Sequence, residues 1–281
     1  MNKKGFTLIE LLSVIVILAV IAVIAYPKVL DVIEVSRVSA YNAAKENIIE
    51  SAKLKYLADV NASKVTEYTV DDLIQAGYLK SGVKNPLTNK PYENTKVVIV
   101  NENGKITYNY VEGKTTYDSI NNQNDKDGLY KENDFYVYKG LNAKNYISFN
   151  EEVYRIVKMD SYRNIYIIKN TDSITIKQEN LEDSMNAYFN DNYLEEQKNK
   201  ILEISVLNYQ DYQNSYNDNE TYIQNNNNIW VKNGSEYRVL SSVYNDLNND
   251  KEAYTRYVLK IKNTAVISGG NGTQLKPYIL E

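Results

Sequence analysis

The sequence predicts an α+β chain in which a long N-terminal helix, apolar in its first half and amphipathic in its second, packs on a small antiparallel sheet and is followed by a second α+β domain. Three observations carry that expectation. Residues 6–26 form an apolar run interrupted by one charged residue, Glu10, and the residues beyond keep apolar positions three or four apart, the period of a helix face. Two strand-like runs flank Asn103-Gly104, a dipeptide suited to the left-handed conformations of a two-residue hairpin turn. After residue 135, short strand-like runs recur between Asn- and Asp-rich breaks.

Residues 1–5, with Lys3 and Lys4, read as a short basic leader that stays cytoplasmic while the remainder is exported. Twenty-one helical residues from Phe6 to Tyr26 span about 30 Å at a rise of 1.5 Å per residue, enough for one hydrocarbon core. Three readings compete. An ordinary secretory signal finds small residues at Val23 and Ala25 before Tyr26. A plain membrane anchor explains the length but not Glu10, because an acid inside a span costs about 2.5 to 3.5 kcal/mol on the lenient insertion scale. The third is a leader whose apolar stretch survives processing.

Pro27 lacks an N–H and is expected to kink the helix or melt one turn. Beyond it Leu30, Ile33, Tyr41, Ala44, Ile48 and Ala52 mark an amphipathic continuation to about Leu57, with Arg37 as a break. Thr69–Asp72 is a capping-box variant opening a short helix with Leu73, Ile74 and Leu79 on its apolar face and Gly77 at its end. Strands are expected at 96–100 and 106–111, so residues 27–112 read as a small head. The polar, Gly/Asn/Asp-rich stretch 113–134 reads as an exposed linker, the preferred place for proteolytic nicking. Residues 135–281 read as the second domain: a meander of strands at 135–138, 146–149, 153–159 and 165–169, a polar helical stretch over 179–202, then strands at 204–207, 229–231, 237–240, 257–261 and 265–268.

Composition narrows the chemistry. There are no cysteines, hence no disulfides and no thiolate metal site, and no histidines, which removes the usual general base and the commonest zinc ligand. A net charge of -4, without a dense basic stretch after residue 28, argues against nucleic-acid binding. Gln123, Asp125, Asp127, Gly128 and Asp134 are spaced like a calcium loop, but Gln stands at the first ligand position and the shorter Asp at the last. Asp125, Asp127 and Asp134 are therefore weak calcium candidates; no cofactor is expected. Asp246, Asn248 and Asp250 repeat the spacing without the glycine and read as a solvated turn. Gly269-Gly270-Asn271-Gly272-Thr273 lacks the lysine and the following helix of a phosphate loop and reads as a terminal turn. The 27 tyrosines, against 4 Phe and 1 Trp, suit a hydrogen-bonding surface but also follow from a general drift toward Tyr, Asn, Lys and Ile.

The run Gly5-Phe6-Thr7-Leu8-Ile9-Glu10 resembles the cleavage and methylation motif of type IV prepilins residue for residue. The resemblance implies that a prepilin peptidase, which is also the N-methyltransferase, cuts after Gly5 and methylates the new amine of Phe6. Glu10 then matches the carboxylate used in filament assembly, paired with the Phe6 amine of a neighbouring subunit or of its own chain, where a side chain four residues on lies on the same helix face. It further implies a single-pass membrane precursor, other pilin subunits and the membrane assembly machinery as partners, an extracellular filament as destination, and no enzymatic activity. The stretch VDDLIQAGYLKSGVKNPLTNKPY resembles a segment of Gram-positive pilins and competence pseudopilins, and NYISFNEEVYRIVKM with ISGGNGTQLKPYIL resembles a module of Gram-positive surface proteins. A structural pilin, major or minor, is the leading reading. A pseudopilin of a secretion or DNA-uptake machine is an alternative for which the second domain is large. A pilus-borne adhesin is another, marked by a concave aromatic pocket, and a surface hydrolase using two carboxylates is a fourth, although no pair stands out.

Overall fold

The computed structural model describes residues 8–59, 62–121, 123, 125–223 and 226–281. The described chain is α+β: a long helix, then an antiparallel three-stranded sheet, then a further sheet-rich region. It divides into two compact units, one of residues 1–58 and 70–92 and one of residues 59–69 and 93–281.

The first unit is built on helix α1, Leu8–Ala58. Its two halves, Leu8–Val23 and Lys28–Ala58, are bent by 46°, and Pro27 falls in the interval between them. Side chains of the expected amphipathic face sink only in the last third: Leu30 and Ile33 are exposed, Tyr41 and Ala44 half-buried, Ile48 and Ala52 buried. Helix α2, Val70–Gln75, buries Leu73 and ends where Gly77 takes a φ of 79°. The amides of Gly77, Tyr78 and Leu79 close back on the carbonyls of Ile74 and Leu73, satisfying helix-end acceptors as the glycine predicted. Ser51 Oγ donates to the Tyr78 carbonyl at 3.0 Å, tying α1 to the segment after α2.

In the second unit, strands β1 (Val65–Thr69), β2 (Thr95–Glu102) and β3 (Lys105–Glu112) form an antiparallel sheet in the order β1-β2-β3. Glu102 pairs with Lys105 around Asn103 and Gly104, both at positive φ, the two-residue turn expected there. The larger sheet has fifteen strands: β4 (Lys114–Thr115), β5 (Leu129–Glu132), β6 (Phe135–Tyr138), β7 (Tyr146–Phe149), β8 (Glu152–Met159), β9 (Ile165–Lys169), β10 (Thr175–Lys177), β11 (Ile201–Asn208), β12 (Ile229–Asn233), β13 (Glu236–Leu240), β14 (Leu247–Asn248), β15 (Glu252–Tyr254), β16 (Tyr257–Ile261), β17 (Val266–Gly269) and β18 (Tyr278–Leu280). Its main path runs β10-β15-β12-β11-β16-β9-β8-β7-β18-β17-β4. Strands β7, β8 and β9 do form a meander, but β6 pairs with β5 and β8 instead of β7. Helices α3 (Thr116–Ile120), α4 (Leu181–Asn192), α5 (Glu195–Lys198) and α6 (Tyr209–Asn214) decorate it, so the stretch expected to be one helix over 179–202 is two helices that give way to β11. The core is dominated by fully buried Ile147, Ile156, Ile165 and Ile167, with Trp230 in an adjoining cluster donating its indole N–H to the Ile176 carbonyl at 2.8 Å.

The stretch 113–134, expected to be an exposed linker, is instead part of this fold. Strand β4 pairs with β17, α3 begins at a capping box made by Thr115 and Asp118, and Thr115, Thr116, Ile120 and Leu129 are buried. The composition misled because its polar residues are spent on caps and turns while a few small or apolar ones point inward. The Gly-rich segment at 269–273 is a turn before β18, which runs parallel to β7. A Cβ at Gly270 would lie 1.9 Å from the Pro277 carbonyl oxygen, and its φ is 87°, so backbone packing explains the glycine without a phosphate.

Candidate functional site

Of the residues singled out for processing and assembly, Glu10 falls on α1. Gly5 and Phe6 lie outside the described residues. Around Glu10, Leu8, Ile9, Leu11, Leu12, Val14 and Ile15 are all exposed. Exposed apolar side chains continue through Val23 and Tyr26, and Glu10 is the one charged residue between Leu8 and Tyr26; beyond it exposed Val29, Leu30, Val32, Ile33, Val35 and Val38 alternate with the charged Lys28, Asp31, Glu34 and Arg37. Ser13 Oγ donates to the Ile9 carbonyl at 2.7 Å, which hides the hydroxyl from an apolar environment. Neither half of α1 alone is long and apolar enough to cross a membrane; the bent pair is, by length and composition.

The weak calcium candidates do not converge. Asp125 and Asp127 sit in a single 3-10 turn, and Asp127 pairs with Lys144 through both its carboxylate and its backbone carbonyl. Asp134 lies in the β5–β6 hairpin beside Asn133, whose φ is 52°. Among the described residues no group of three Asp or Glu side chains stands close enough to hold a metal ion. Asp246, Asn248 and Asp250, expected to form a solvated turn, flank and end β14, which pairs with β13; Asn248 Oδ1 accepts from the Asp250 amide at 3.0 Å.

Two side-chain constellations were not foreseen in the sequence. In the first, Lys96 on β2 is buried and its Nζ lies 2.7 and 2.8 Å from the two oxygens of Asp118 and 3.0 Å from Glu67 Oε2; Arg163 donates to the same Glu67 oxygen at 2.8 Å. The Thr115-to-Asp118 spacing signals a cap, but nothing local says that Lys96 comes to meet it. In the second, the Tyr154 hydroxyl lies 2.8 Å from that of Tyr193 and 3.0 Å from Glu152, which also accepts from Tyr188 and from Lys169. Burial pushes the Tyr154 and Tyr188 phenols well above their ordinary value, so both stay protonated. Burial also works to raise Glu152, but the Lys169 ammonium and the two phenols donating to it prevail and hold its carboxyl below the ordinary value.

These networks show where much of the tyrosine goes. Tyr138, Tyr154, Tyr212, Tyr222 and Tyr257 are buried members of the core. One groove of about 470 Å³ does bring two rings together, Tyr117 and Tyr136, with centroids 6.5 Å apart. Each ring already faces a cation, the Arg163 guanidinium at 3.9 Å and Lys131 at 5.9 Å. A second groove of about 700 Å³, lined by Gln178, Glu179, Glu182, Lys251 and Glu252 among others, has Tyr237 as its one aromatic wall.

The model of the prokaryotic N-terminal methylation motif matches residues 1–26. No curated protein and no solved structure matches the chain. The matched motif supports a type IV pilin-like or pseudopilin precursor; it implies a membrane-anchored form, processing by prepilin peptidase and assembly with other pilin subunits.

Proposed function

We propose that this chain is a structural subunit, a major or minor pilin, of a type IV pilus-like filament. The observation that carries the reading is the methylation motif over residues 1–26 together with a helix whose apolar side chains lie open from Leu8 to Val23. An exposed apolar patch of that extent has two natural hosts, a bilayer before assembly and the helices of neighbouring subunits after it. Prepilin peptidase removes residues 1–5 and methylates Phe6, and the helix from Phe6 passes from membrane to filament core. Glu10 acts there as the register key, because an acid and an amine are each costly in a dry environment and are brought together when subunits stack. The sheet-rich remainder is the part displayed outside the cell.

The mature N-terminus tests the proposal. Protein sheared from the cell surface and weighed by mass spectrometry should begin at N-methylated Phe6. A chain starting at Tyr26 has lost its assembly helix and overturns the reading, and a chain that still carries residues 1–5 reduces the segment to an anchor.

A further inference from the structure

The absence of cysteine leaves the displayed region without disulfides, yet one cluster is arranged to form a different covalent link. Among the described residues, Lys96 is the one lysine whose residue is buried, and its Nζ contacts two carboxylates at once, Asp118 and Glu67. Asp118 is presented to the amine in a fixed pose: its Oδ2 accepts from the Thr115 amide at 2.7 Å and from the Thr115 hydroxyl at 2.9 Å, while Oδ1 lies 2.7 Å from Nζ. Glu67 Oε2 lies 3.0 Å from Nζ and itself accepts from Arg163 at 2.8 Å.

We propose that Lys96 and Asp118 condense into an intramolecular isopeptide bond, with Glu67 as the proton carrier. The step is a dehydration. Glu67 takes a proton from the Lys96 ammonium, and the freed amine attacks the Asp118 carboxyl carbon. The charge that develops on Oδ2 is met by the two Thr115 donors, an arrangement that stabilises a tetrahedral oxyanion. The C–Oδ1 bond then breaks, and Oδ1 leaves as water with two protons that came from the ammonium, one of them delivered by Glu67. One ammonium and one carboxylate become one amide and one water, so no oxidant, nucleotide or other reactant is needed.

Two considerations favour the product. Amide formation between free amine and acid is poor in water, but groups held in contact by a fold reach effective concentrations on the order of 10⁵ to 10⁸ M. The amide also leaves each polar atom with a partner, since its carbonyl keeps the Thr115 donors and its remaining N–H points at Glu67, while one buried and one half-buried charge disappear. In the ionised state burial works to raise the Asp118 carboxyl, and Lys96 with Thr115 overcomes it and holds it below the ordinary value. The ion pair is thus the assembled reactant. The bond would join β2 to α3 and close a loop around the whole β2–β3 hairpin.

The full chain, purified in detergent, denatured and weighed intact, tests this. The expected mass, once N-terminal processing is accounted for, is one water below the sequence mass, and digestion yields a branched peptide joining Lys96 to Asp118. Lys96→Arg and Asp118→Ala restore the full mass. Glu67→Gln keeps the side chain's shape, so a protein with unchanged thermal unfolding should show at least about tenfold slower cross-linking when followed from synthesis. Wild-type protein at full sequence mass, or a water loss mapped elsewhere, overturns the bond; equal cross-linking rates in Glu67→Gln overturn the role of Glu67.

Discussion

Helix α1 from Leu8 to Val38 and the run β7 to β9 draw on the same aliphatic residues and treat them in opposite ways. Ile17 and Ile21 are 58% and 55% exposed, whereas Ile147, Ile156, Ile165 and Ile167 are at 0%. Each of these buried isoleucines has its neighbours within the same chain. The described aliphatic side chains of α1 between Leu8 and Val23 are exposed instead; the helix closes its backbone bonds internally, and such side chains are covered by a bilayer or by other helices. A substitution should therefore disturb one region without the other.

The sharpest separation should come at Glu10. Glu10→Gln keeps the side-chain shape and removes the charge, so membrane insertion should be unchanged or easier. Incorporation into filaments should collapse, because an unpaired amine in a dry core is expected to cost on the order of 3 to 5 kcal/mol per subunit. The comparison is the ratio of sheared to membrane-held protein at matched expression, with processing checked separately. Equal ratios for variant and wild type would remove Glu10 as an assembly key.

Paired isoleucines test the contrast directly. Ile167→Ala should destabilise the sheet-rich region by about 2 to 5 kcal/mol through lost burial and a cavity. Ile17→Ala should leave thermal unfolding of the detergent-solubilised chain within about 0.5 kcal/mol of wild type, since Ile17 has no core to leave. A matching loss in both would mean that the helix is already packed in the single chain.

A smaller effect, about 1 to 3 kcal/mol, is expected for Gly270→Ala, from positive-φ strain and from the Pro277 carbonyl that the new methyl meets. It should loosen β18 specifically, which hydrogen exchange at Tyr278–Leu280 would detect. Unaltered exchange would show that the turn adjusts freely.

The smallest is electrostatic. Glu152 is held below its ordinary value of 4.5 in the folded chain, so it binds fewer protons than when unfolded. Its contribution is present above about that pH and is lost as pH falls through the lower folded value. Lys169 is the mirror case: Glu152 raises it above 10.5 against the effect of burial, so its contribution holds below that pH and fades above it. Because Glu152 is substantially exposed, solvent screening keeps the effect modest. Glu152→Gln should flatten both flanks of the stability profile measured by denaturant titration across pH, and an unchanged acid flank would assign that loss to other carboxylates.

What the sequence by itself determined is local. The apolar run with its lone acid, the position of Pro27, the Asn103-Gly104 hairpin and the strands at 135–138, 146–149, 165–169 and 257–261 follow from neighbours a few residues apart, where helix period, strand alternation and turn chemistry act. The processing motif is legible for the same reason, being six consecutive residues. What only the tertiary structure decided depends on partners far along the chain. Strand β4 is a strand because β17, some 150 residues later, supplies its hydrogen bonds, so its polar composition read as a linker. Strand β18 gains its place by pairing with β7, and Lys96 becomes a buried, doubly paired amine because Glu67 and Asp118 arrive from other elements. Backbone hydrogen bonds and buried charges must find partners somewhere, but composition does not say where; the closing of long loops does.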